Sequence, residues 1–238
     1  QALSSLRPNS HTVVLYGDGP LVKINTLKKL ISGTTNDNLS LLTFEAVQPK
    51  GLGRIIRQSS SKVSGIVEEK DATSLEKLIK EVNSGILATS TKNLKQWLPK
   101  LKNNNASKEY YLTDIVALCN SENKKIKVIN LGDSCELLGV NDNRELQNLE
   151  RIYQKETALG FLKSGVKFAD INRVDFRGDV SIGKNVFIDI NVVLEGNVSI
   201  GSDCIISVGV VIKNSSLSKK IKVEPYSVIE NSKIGDNS

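Results

Sequence analysis

The stretch VSIGKNVFIDINVVLEGNVSIGSDCIISVGVVI, residues 180–212, repeats one pattern every six residues. An aliphatic residue recurs at strict six-residue intervals, at Ile182, Ile188, Leu194, Ile200, Ile206 and Ile212. A smaller apolar residue lies two positions ahead of each, at Val180, Val186, Val192, Val198, Cys204 and Val210. The two-residue period of a strand does not explain such a repeat, whereas a parallel β-helix built from hexapeptides does. The stretch therefore predicts a β-helix in which both apolar residues point inward and the chain turns a corner every six residues.

The spacing shifts beyond residue 212. The aliphatic positions then recur at Leu217, Val223 and Ile229. Stacked coils bury a continuous core but leave open ends, which require caps or partner chains. Because the sequence reaches Ser238 soon after another repeat begins at Ile234, we expect the β-helix to be C-terminally incomplete and uncapped. The alternative is a β-sandwich in which the six-residue spacing arises by chance.

Strand-like and helix-like segments alternate before about Val166, where the composition changes. The strand-like segments lie at residues 11–16, 39–47, 62–68, 81–88 and 125–131. The helix-like segments lie at residues 25–31, 94–101 and 109–119, with Asn25 as the expected N-cap of the first. Strands that alternate with helices are typical of layered α/β domains. We therefore expect a layered α/β domain ahead of the β-helix.

One long amphipathic helix is predicted between these two parts. Asp142, followed three residues later by Glu145, is typical of a helix start, because a carboxylate can accept the free amide at the third helical position. Apolar residues then recur at three- and four-residue spacings as far as Gly165. The predicted boundaries are an α/β domain over residues 1–141, a linker helix over 142–165 and a β-helix over 166–238.

The composition excludes several classes of function. The net charge of +6 arises from 32 Lys and Arg against 26 Asp and Glu, and the basic residues are interleaved with acidic ones. Without a basic stripe or interleaved aromatic residues, we predict no nucleic-acid partner. The longest apolar runs are far shorter than a membrane span, so no membrane partner is expected either.

The numbers of cysteine and methionine residues indicate the redox environment of the protein and whether the sequence includes its start. Three Cys residues without a CxxC spacing argue against a disulfide framework or a zinc cluster and fit a reducing compartment, so we expect a cytoplasmic protein. The chain contains no Met and opens on Gln1, which suggests that it lacks its beginning.

A turn at residues 16–20, Tyr-Gly-Asp-Gly-Pro, follows the first predicted strand. Open α/β sheets bind ligands at the carboxyl ends of their strands, where a glycine admits a phosphate and Asp18 could hold a hard divalent cation. The alternative is an ordinary Asp-Gly surface turn. His11 is the single histidine, so a Ser-His-Asp or Cys-His centre is improbable.

Several other motifs are individually weak but occur in a specific order. These are GLGRIIR, GIVEEKDAT, EVNSGILA, NNNASKEYYLTDI and GVNDNRELQNLERIYQ, after LYGDGPL and before the hexapeptide repeat. Together they resemble the bacterial bifunctional N-acetylglucosamine-1-phosphate uridyltransferases and glucosamine-1-phosphate acetyltransferases over nearly the whole chain. The resemblance implies a Rossmann-like, N-terminally incomplete α/β nucleotidyltransferase domain in residues 1–141 and a C-terminally incomplete, left-handed β-helical acetyltransferase domain in 166–238.

The resemblance also implies site residues. Those expected to bind UDP-N-acetylglucosamine are Tyr16, Gly17, Asp18, Gly53, Glu68, Asn83 and Asn141, and of these Gly53, Glu68 and Asn83 match positions that contact the N-acetylglucosamine moiety. Asp18 and Asn141 match the protein ligands of the catalytic Mg²⁺, a metal that prefers oxygen ligands. The implied substrates are UTP, N-acetylglucosamine 1-phosphate and glucosamine 1-phosphate, with acetyl-CoA as co-substrate of the second reaction. The implied assembly is a homotrimer formed through the β-helix.

The chain departs from the family pattern at three places. Gly19 replaces the bulkier apolar residue expected after Asp18, which could loosen the nucleotide loop. The triphosphate-binding loop and the uracil-selecting residues are absent from residues 1–238, as are the coils that carry the acetyltransferase site, so we expect this polypeptide alone to be inactive. Two alternatives stay open: another sugar-1-phosphate nucleotidyltransferase with a β-helix tail, making ADP- or GDP-sugars, and a non-catalytic β-helical scaffold or regulatory subunit.

Overall fold

The structure, a computed structural model, describes residues 2–132 and 134–238. The chain divides into two compact units, Gln1–Asn141 and Asp142–Ser238. No helix within the described ranges is both long enough and apolar enough to span a lipid bilayer.

The first unit contains one mixed sheet and three α-helices. Its strands are β1 His11–Val14, β2 Asn38–Glu45, β3 Arg54–Ser59, β4 Lys62–Val67, β5 Glu81–Ser90 and β6 Lys125–Asn130. Its helices are α1 Ile24–Ser32, α2 Thr91–Trp97 and α3 Ile115–Ser121. Short 3₁₀ turns lie at Ala2–Ser5, Glu76–Leu78, Leu98–Lys100, Leu112–Asp114 and Cys135–Leu137. The sheet order is β4-β3-β5-β2-β6, with β1 also beside β5.

Strand β2 is buried on both of its faces. Successive strand residues point to opposite sides of a sheet. Leu41 packs with Trp97 of α2 and Ile115 of α3, whereas Leu42 packs in a second cluster with Leu30 of α1. Helices therefore cover both faces of the sheet, and the predicted α/β layering is confirmed.

Three details of this unit differ from the local predictions. The predicted helix at 109–119 begins only with the 3₁₀ turn Leu112–Asp114, because the Asn105 side chain binds the backbone of Glu109 through both its donor and its acceptor. Asn25 lies inside α1, whose N-cap is Lys23. Strand β3 was missed, since the GLGR motif indicated only a turn, yet Arg54–Ser59 forms a hairpin with β4.

Helix α4, Asn143–Ser164, opens the second unit as the sequence predicts. Asp142 is its N-cap, and the Oδ1 atom of Asp142 accepts a hydrogen bond from the Glu145 amide at 2.7 Å. Gly165 ends the helix at φ 98°, a left-handed conformation that glycine adopts without a steric penalty.

Three sheets of four parallel strands form the β-helix that follows. The first is β16-β13-β10-β7, with β7 Lys167–Phe168, β10 Phe187–Ile188, β13 Ile205–Ile206 and β16 Lys222–Val223. The second is β17-β14-β11-β8, with β8 Val174–Arg177, β11 Val192–Glu195, β14 Val211–Lys213 and β17 Val228–Glu230. The third is β18-β15-β12-β9, with β9 Val180–Ile182, β12 Val198–Ile200, β15 Ser216–Leu217 and β18 Lys233–Ile234.

The inward positions of the hexapeptides form one continuous core. Ten of the twelve predicted inward residues, from Val186 to Ile212, are buried, Cys204 among them. Val180 and Ile182 are only partly buried because their strand, β9, lies at the end of its stack. The predicted parallel β-helix is confirmed, and the β-sandwich alternative is wrong.

The corners depend on residues in the left-handed region. One column of stacked corners consists of Asn185, Asp203, Lys220 and Asn237, with φ between 57° and 64°. Asn, Asp and Gly adopt this region at the least cost. Each corner amide donates back to the coil below, as Asp203 does to the Lys184 carbonyl at 3.1 Å.

The shifted spacing has a local cause at Ser215. The strand partners are eighteen residues apart at Val180↔Val198 but seventeen apart at Ser199↔Ser216. Ser215 is buried, and its hydroxyl donates to the Lys213 carbonyl at 2.7 Å and accepts from the Ser232 amide at 3.0 Å. These two bonds satisfy a polar side chain at an inward position of the shortened coil.

Adjacent isoleucines in β13 offer a test of the inward assignment. Ile206 is fully buried, whereas Ile205 is 44% exposed. We expect Ile206→Ala to lower the free energy of unfolding by about 2–5 kcal/mol through the cavity it leaves, and Ile205→Ala to lower it by less than about 1 kcal/mol. Urea unfolding followed by circular dichroism measures both, and equal losses would contradict the assignment.

Candidate functional site

A cavity of about 280 Å³ opens at one edge of the sheet in the first unit. Its size is close to the lower end of small-molecule pockets, roughly 300 Å³. The predicted site residues that line it are Tyr16, Asp18, Gly53, Glu68, Asn83 and Asn141. Gly17, the remaining predicted residue, is exposed and is not part of the lining.

Strand order explains why residues so far apart in the chain meet here. Tyr16 and Asp18 follow the end of β1, which runs antiparallel to β5, so they lie beside the first half of β5, where Asn83 lies. Gly53 precedes β3, and Glu68 follows β4, its antiparallel partner. The site is therefore assembled from strand ends at a single edge, where ligands bind in many α/β sheets.

A bulge in β5 forms one wall of the cavity. The register against β2 moves from Leu41↔Leu87 to Thr43↔Asn83, which leaves two additional residues in β5. The Ser84 hydroxyl donates to the Leu42 carbonyl at 2.7 Å and accepts from the Ile86 amide at 3.1 Å, which closes the bulge. A bulge of this kind redirects side chains and is common beside active sites.

The Tyr16 ring packs directly on Gly85 at the tip of this bulge. Gly85 has φ 77°, and a Cβ atom there would overlap the ring. Partial burial, followed by the negative charges of Glu68 and Asp18, raises the pKa of the Tyr16 phenol above its usual value of 10.0. The phenol therefore remains protonated at neutral pH and is able to donate a hydrogen bond into the cavity.

The Glu68 carboxylate is held in place from two sides. Its Oε1 atom accepts a hydrogen bond from the Thr113 hydroxyl at 2.8 Å. A Cβ atom on Gly53 would lie 2.9 Å from the Ile66 Cγ2 atom and 3.1 Å from the Glu68 Oε2 atom, so a larger residue at this position would displace one of these side chains. The backbone N–H of Asn83 donates a hydrogen bond to the Gly53 carbonyl at 2.9 Å, which connects this part of the wall to β5.

Asp18 and Asn141 both line the cavity, and Asp18 contacts the segment that leads to Asn141. The Val140 amide donates to the Asp18 carbonyl at 3.0 Å, and a Cβ atom on Gly139 would lie 3.6 Å from the Asp18 Oδ2 atom. The described residues contain no cluster of three or more His, Cys, Asp or Glu side chains. A carboxylate and an amide oxygen on adjacent segments suit a hard cation that takes its other oxygen ligands from substrate and water.

Sequence reasoning missed three residues that shape this site: Gly85, Thr113 and Gly139. An isolated glycine within a predicted strand indicates a bulge or a close backbone approach, so that signal alone could have identified Gly85. Thr113 lies in the 3₁₀ turn Leu112–Asp114, within the segment predicted as helix, and no sequence signal distinguishes it from other threonines.

The fold and cavity together define a class of protein. It consists of a Rossmann-like α/β unit with a ligand-sized cavity, followed by a left-handed parallel β-helix of hexapeptide repeats. Residues 179–214 match the family described as bacterial transferase hexapeptide (six repeats).

Curated relatives identify the family. The chain is 44% identical over 238 residues to the bifunctional protein GlmU of Baumannia cicadellinicola, covering 100% of this chain and 50% of that protein. It is 45% identical over 234 residues to that of Cellvibrio japonicus, covering 98% and 52%. The match to that of Nitrosomonas eutropha is 46% identical over 238 residues, covering 100% and 52%. The chain spans about half the length of these relatives, and it belongs to the GlmU family.

A glycine pair offers a test of the contact between β5 and Tyr16. Gly85→Ala places a Cβ atom against the Tyr16 ring at a positive φ, and we expect a loss of about 1–3 kcal/mol in the free energy of unfolding together with displaced Tyr16 ring signals. Gly65→Ala in β4 is the control, because its Cβ atom would meet no atom within 4 Å. Chemical denaturation and NMR of labelled tyrosine measure the two effects, and unmoved Tyr16 signals in Gly85→Ala would contradict the contact.

The raised pKa of Tyr16 gives a second test. Removal of the nearby negative charge in Glu68→Gln makes the phenolate less unfavourable, so the pKa of Tyr16 should fall towards 10.0 but stay above it, because burial is the larger cause. NMR titration of ring-labelled tyrosine between about pH 8 and 12 measures the pKa of Tyr16. The Tyr16→Phe variant identifies the Tyr16 signals by their loss. A pKa that rises in Glu68→Gln would contradict the assigned cause.

Proposed function

We propose that the protein to which residues 1–238 belong makes UDP-N-acetylglucosamine through two reactions. In the first, a phosphate oxygen of N-acetylglucosamine 1-phosphate attacks the α-phosphorus of UTP, and pyrophosphate leaves. In the second, which supplies the substrate of the first, the amine of glucosamine 1-phosphate attacks the thioester carbon of acetyl-CoA, an amide bond replaces the C–S bond, and CoA and a proton are released. We assign the first reaction to the domain over 1–141 and the second to the β-helical domain over 166–238, with 142–165 as the linker helix.

The observation that carries the proposal is the shared cavity of the first unit. Six residues from five separate segments, each individually weak as a motif, line one space of monosaccharide size. The membership in the GlmU family supports the same function.

The cavity wall suits an amino sugar. A carboxylate accepts hydrogen bonds from sugar hydroxyls, and Glu68 is fixed for this purpose by Thr113. The side-chain amide of Asn83 offers both donors and an acceptor, which matches an N-acetyl group. We therefore propose Gly53, Glu68 and Asn83 as the sugar-binding part of the site, beside Tyr16, Gly17 and Asp18.

Asp18 and Asn141 would hold Mg²⁺. When bound, Mg²⁺ neutralises phosphate charge and stabilises the charge that develops on the leaving pyrophosphate. The chain's own residues orient the sugar phosphate and exclude water around it, and positioning of this kind is the main protein contribution to phosphoryl-type transfers.

The β-helix supports the second part of the proposal. Its hexapeptides match a family named for bacterial transferases, and stacked coils commonly associate with partner chains. We propose that the protein acts as a homotrimer through the β-helix and that its partners are small-molecule substrates.

Sugar binding tests the proposal directly. We expect the chain to bind N-acetylglucosamine 1-phosphate, with Mg²⁺ present, at least tenfold more tightly than glucose 1-phosphate. Glu68→Gln should weaken that binding roughly tenfold or more, because a hydrogen bond to a charged group contributes about 1.5–3 kcal/mol. Isothermal titration calorimetry measures each affinity.

Asp37→Asn is the matched control, since Asp37 is exposed at the turn before β2, away from the cavity lining. Its affinity should equal that of the unchanged chain. Equal or tighter binding of glucose 1-phosphate would favour a different sugar nucleotidyltransferase. Absence of binding by every sugar phosphate would favour the non-catalytic scaffold.

A further inference from the structure

Arg54, the first residue of β3, is almost completely buried although it carries a charge. Its side chain is 2% exposed, and its Nη2 atom lies 2.6 Å from the Glu69 Oε2 atom. Its Nη1 atom donates to the Leu52 carbonyl. One guanidinium therefore binds both a carboxylate and the backbone two residues before it.

This arrangement carries a cost in stability. Within the described ranges, the Arg54 Nε atom is buried and has no hydrogen-bond partner. A buried charge with an unsatisfied donor is expensive, and apolar residues of similar volume are often as stable or more so. Stability alone therefore does not explain the ion pair between Arg54 and Glu69, and its contacts with the backbone indicate another role.

The pair holds the turn at residues 51–53. The Glu69 Oε2 atom also accepts from the Gly51 amide at 3.1 Å, and the Leu52 amide donates to the Pro49 carbonyl at 3.1 Å. Gly51 occupies the turn at φ 85°. All three residues of the turn line the cavity, so Glu69 and Arg54 bind the backbone of its wall at the Gly51 amide and the Leu52 carbonyl.

The adjacent residues Glu68 and Glu69 make different contacts at this wall. Glu68 lines the cavity and lies against Gly53, whereas Glu69 points to the turn and to Arg54. The bond to Arg54 and the bond from Gly51 lower the pKa of the Glu69 carboxyl, so the carboxylate is charged at neutral pH.

We propose that Arg54 and Glu69 are a positioning pair that sets the shape of the turn at residues 51–53 and thereby the affinity of the cavity for its sugar phosphate. The proposal rests on the proposed function for the identity of that ligand. Arg54 does not contact the ligand, because its guanidinium lies behind the turn and not in the cavity lining. It acts through Leu52, Gly51 and Gly53.

A second arginine in the same strand provides a matched control. Arg57 also binds a glutamate through two nitrogens, with Nε 2.6 Å from the Glu81 Oε2 atom and Nη2 2.7 Å from the Glu81 Oε1 atom. Neither Arg57 nor Glu81 lines the cavity. The two pairs thus share a strand and a chemistry but differ in what they hold.

The experiment compares Arg54→Met, Arg54→Lys and Arg57→Met in the full 238-residue chain. In the free chain, Arg54→Met should speed hydrogen exchange of the Gly51 amide at least tenfold, because Glu69 loses the partner that keeps it on the turn. The dissociation constant for N-acetylglucosamine 1-phosphate should rise about tenfold. Arg54→Lys keeps the charge but lacks the planar fork, so it should give intermediate values. Arg57→Met should leave both quantities within twofold.

Two results would overturn the proposal. One is an Arg54→Met chain that loses thermal stability but keeps both the Gly51 exchange rate and the affinity. The other is an equal loss of affinity in Arg57→Met, which would mean that any change in β3 suffices. If Arg54→Met does not fold, Arg54→Lys and Glu69→Gln decide, because each weakens the pair and keeps an acceptor for the Gly51 amide. Both should speed Gly51 exchange and weaken binding, and unchanged values in both would overturn the proposal. If the unchanged chain binds no sugar phosphate, the proposed function fails, and Gly51 exchange still decides whether the pair sets the turn.

Discussion

The wall of the candidate site that β5 supplies depends on the close packing of the Tyr16 ring on the backbone of Gly85. It requires a residue without a Cβ atom at φ 77°, within a strand that is otherwise extended. The same bulge moves the register of β5 by two residues and brings Asn83 opposite Thr43. Without the bulge, Asn83 would pair elsewhere along β2, and the strand ends would no longer supply one common wall.

The second unit depends on the same kind of backbone position, used periodically. Each coil turns at residues with φ near 60°, and the columns of corners are filled mainly by Asn, Asp and Gly. Gly196 shows how tight these columns are, since a Cβ atom there would overlap the Asn214 side chain stacked on it. The positive φ of Gly85 shapes one pocket, whereas the positive-φ corners recur in every coil and so specify a regular solenoid.

This difference explains what could be predicted from the sequence. The β-helix repeats its own signal every six residues, so the inward positions and the shift after Ile212 could be identified, although the hydrogen bonds of Ser215 that close the shift could not. The residues that line the cavity follow no periodic pattern. They could be predicted only from a resemblance in motif order, because strand order brings residues 16, 68 and 83 together and local patterns do not specify strand order. The burial of Arg54 could not be predicted, because the GLGR motif indicates only a turn and a buried arginine is rare.

Charge balance gives a physical reason for the proposed cation. Asp18 and Glu68 both line the cavity, and their charges help to raise the pKa of Tyr16, so the field there is negative. Among the described lining residues there is no Lys or Arg, and the nearby guanidinium of Arg54 is engaged by Glu69. A sugar phosphate carries its own negative charge and would be repelled by two carboxylates in a partly desolvated cavity. Under the proposed function, a divalent cation held by Asp18 and Asn141 would offset that repulsion, so the metal would be needed for binding the anionic ligand as well as for the proposed transfer.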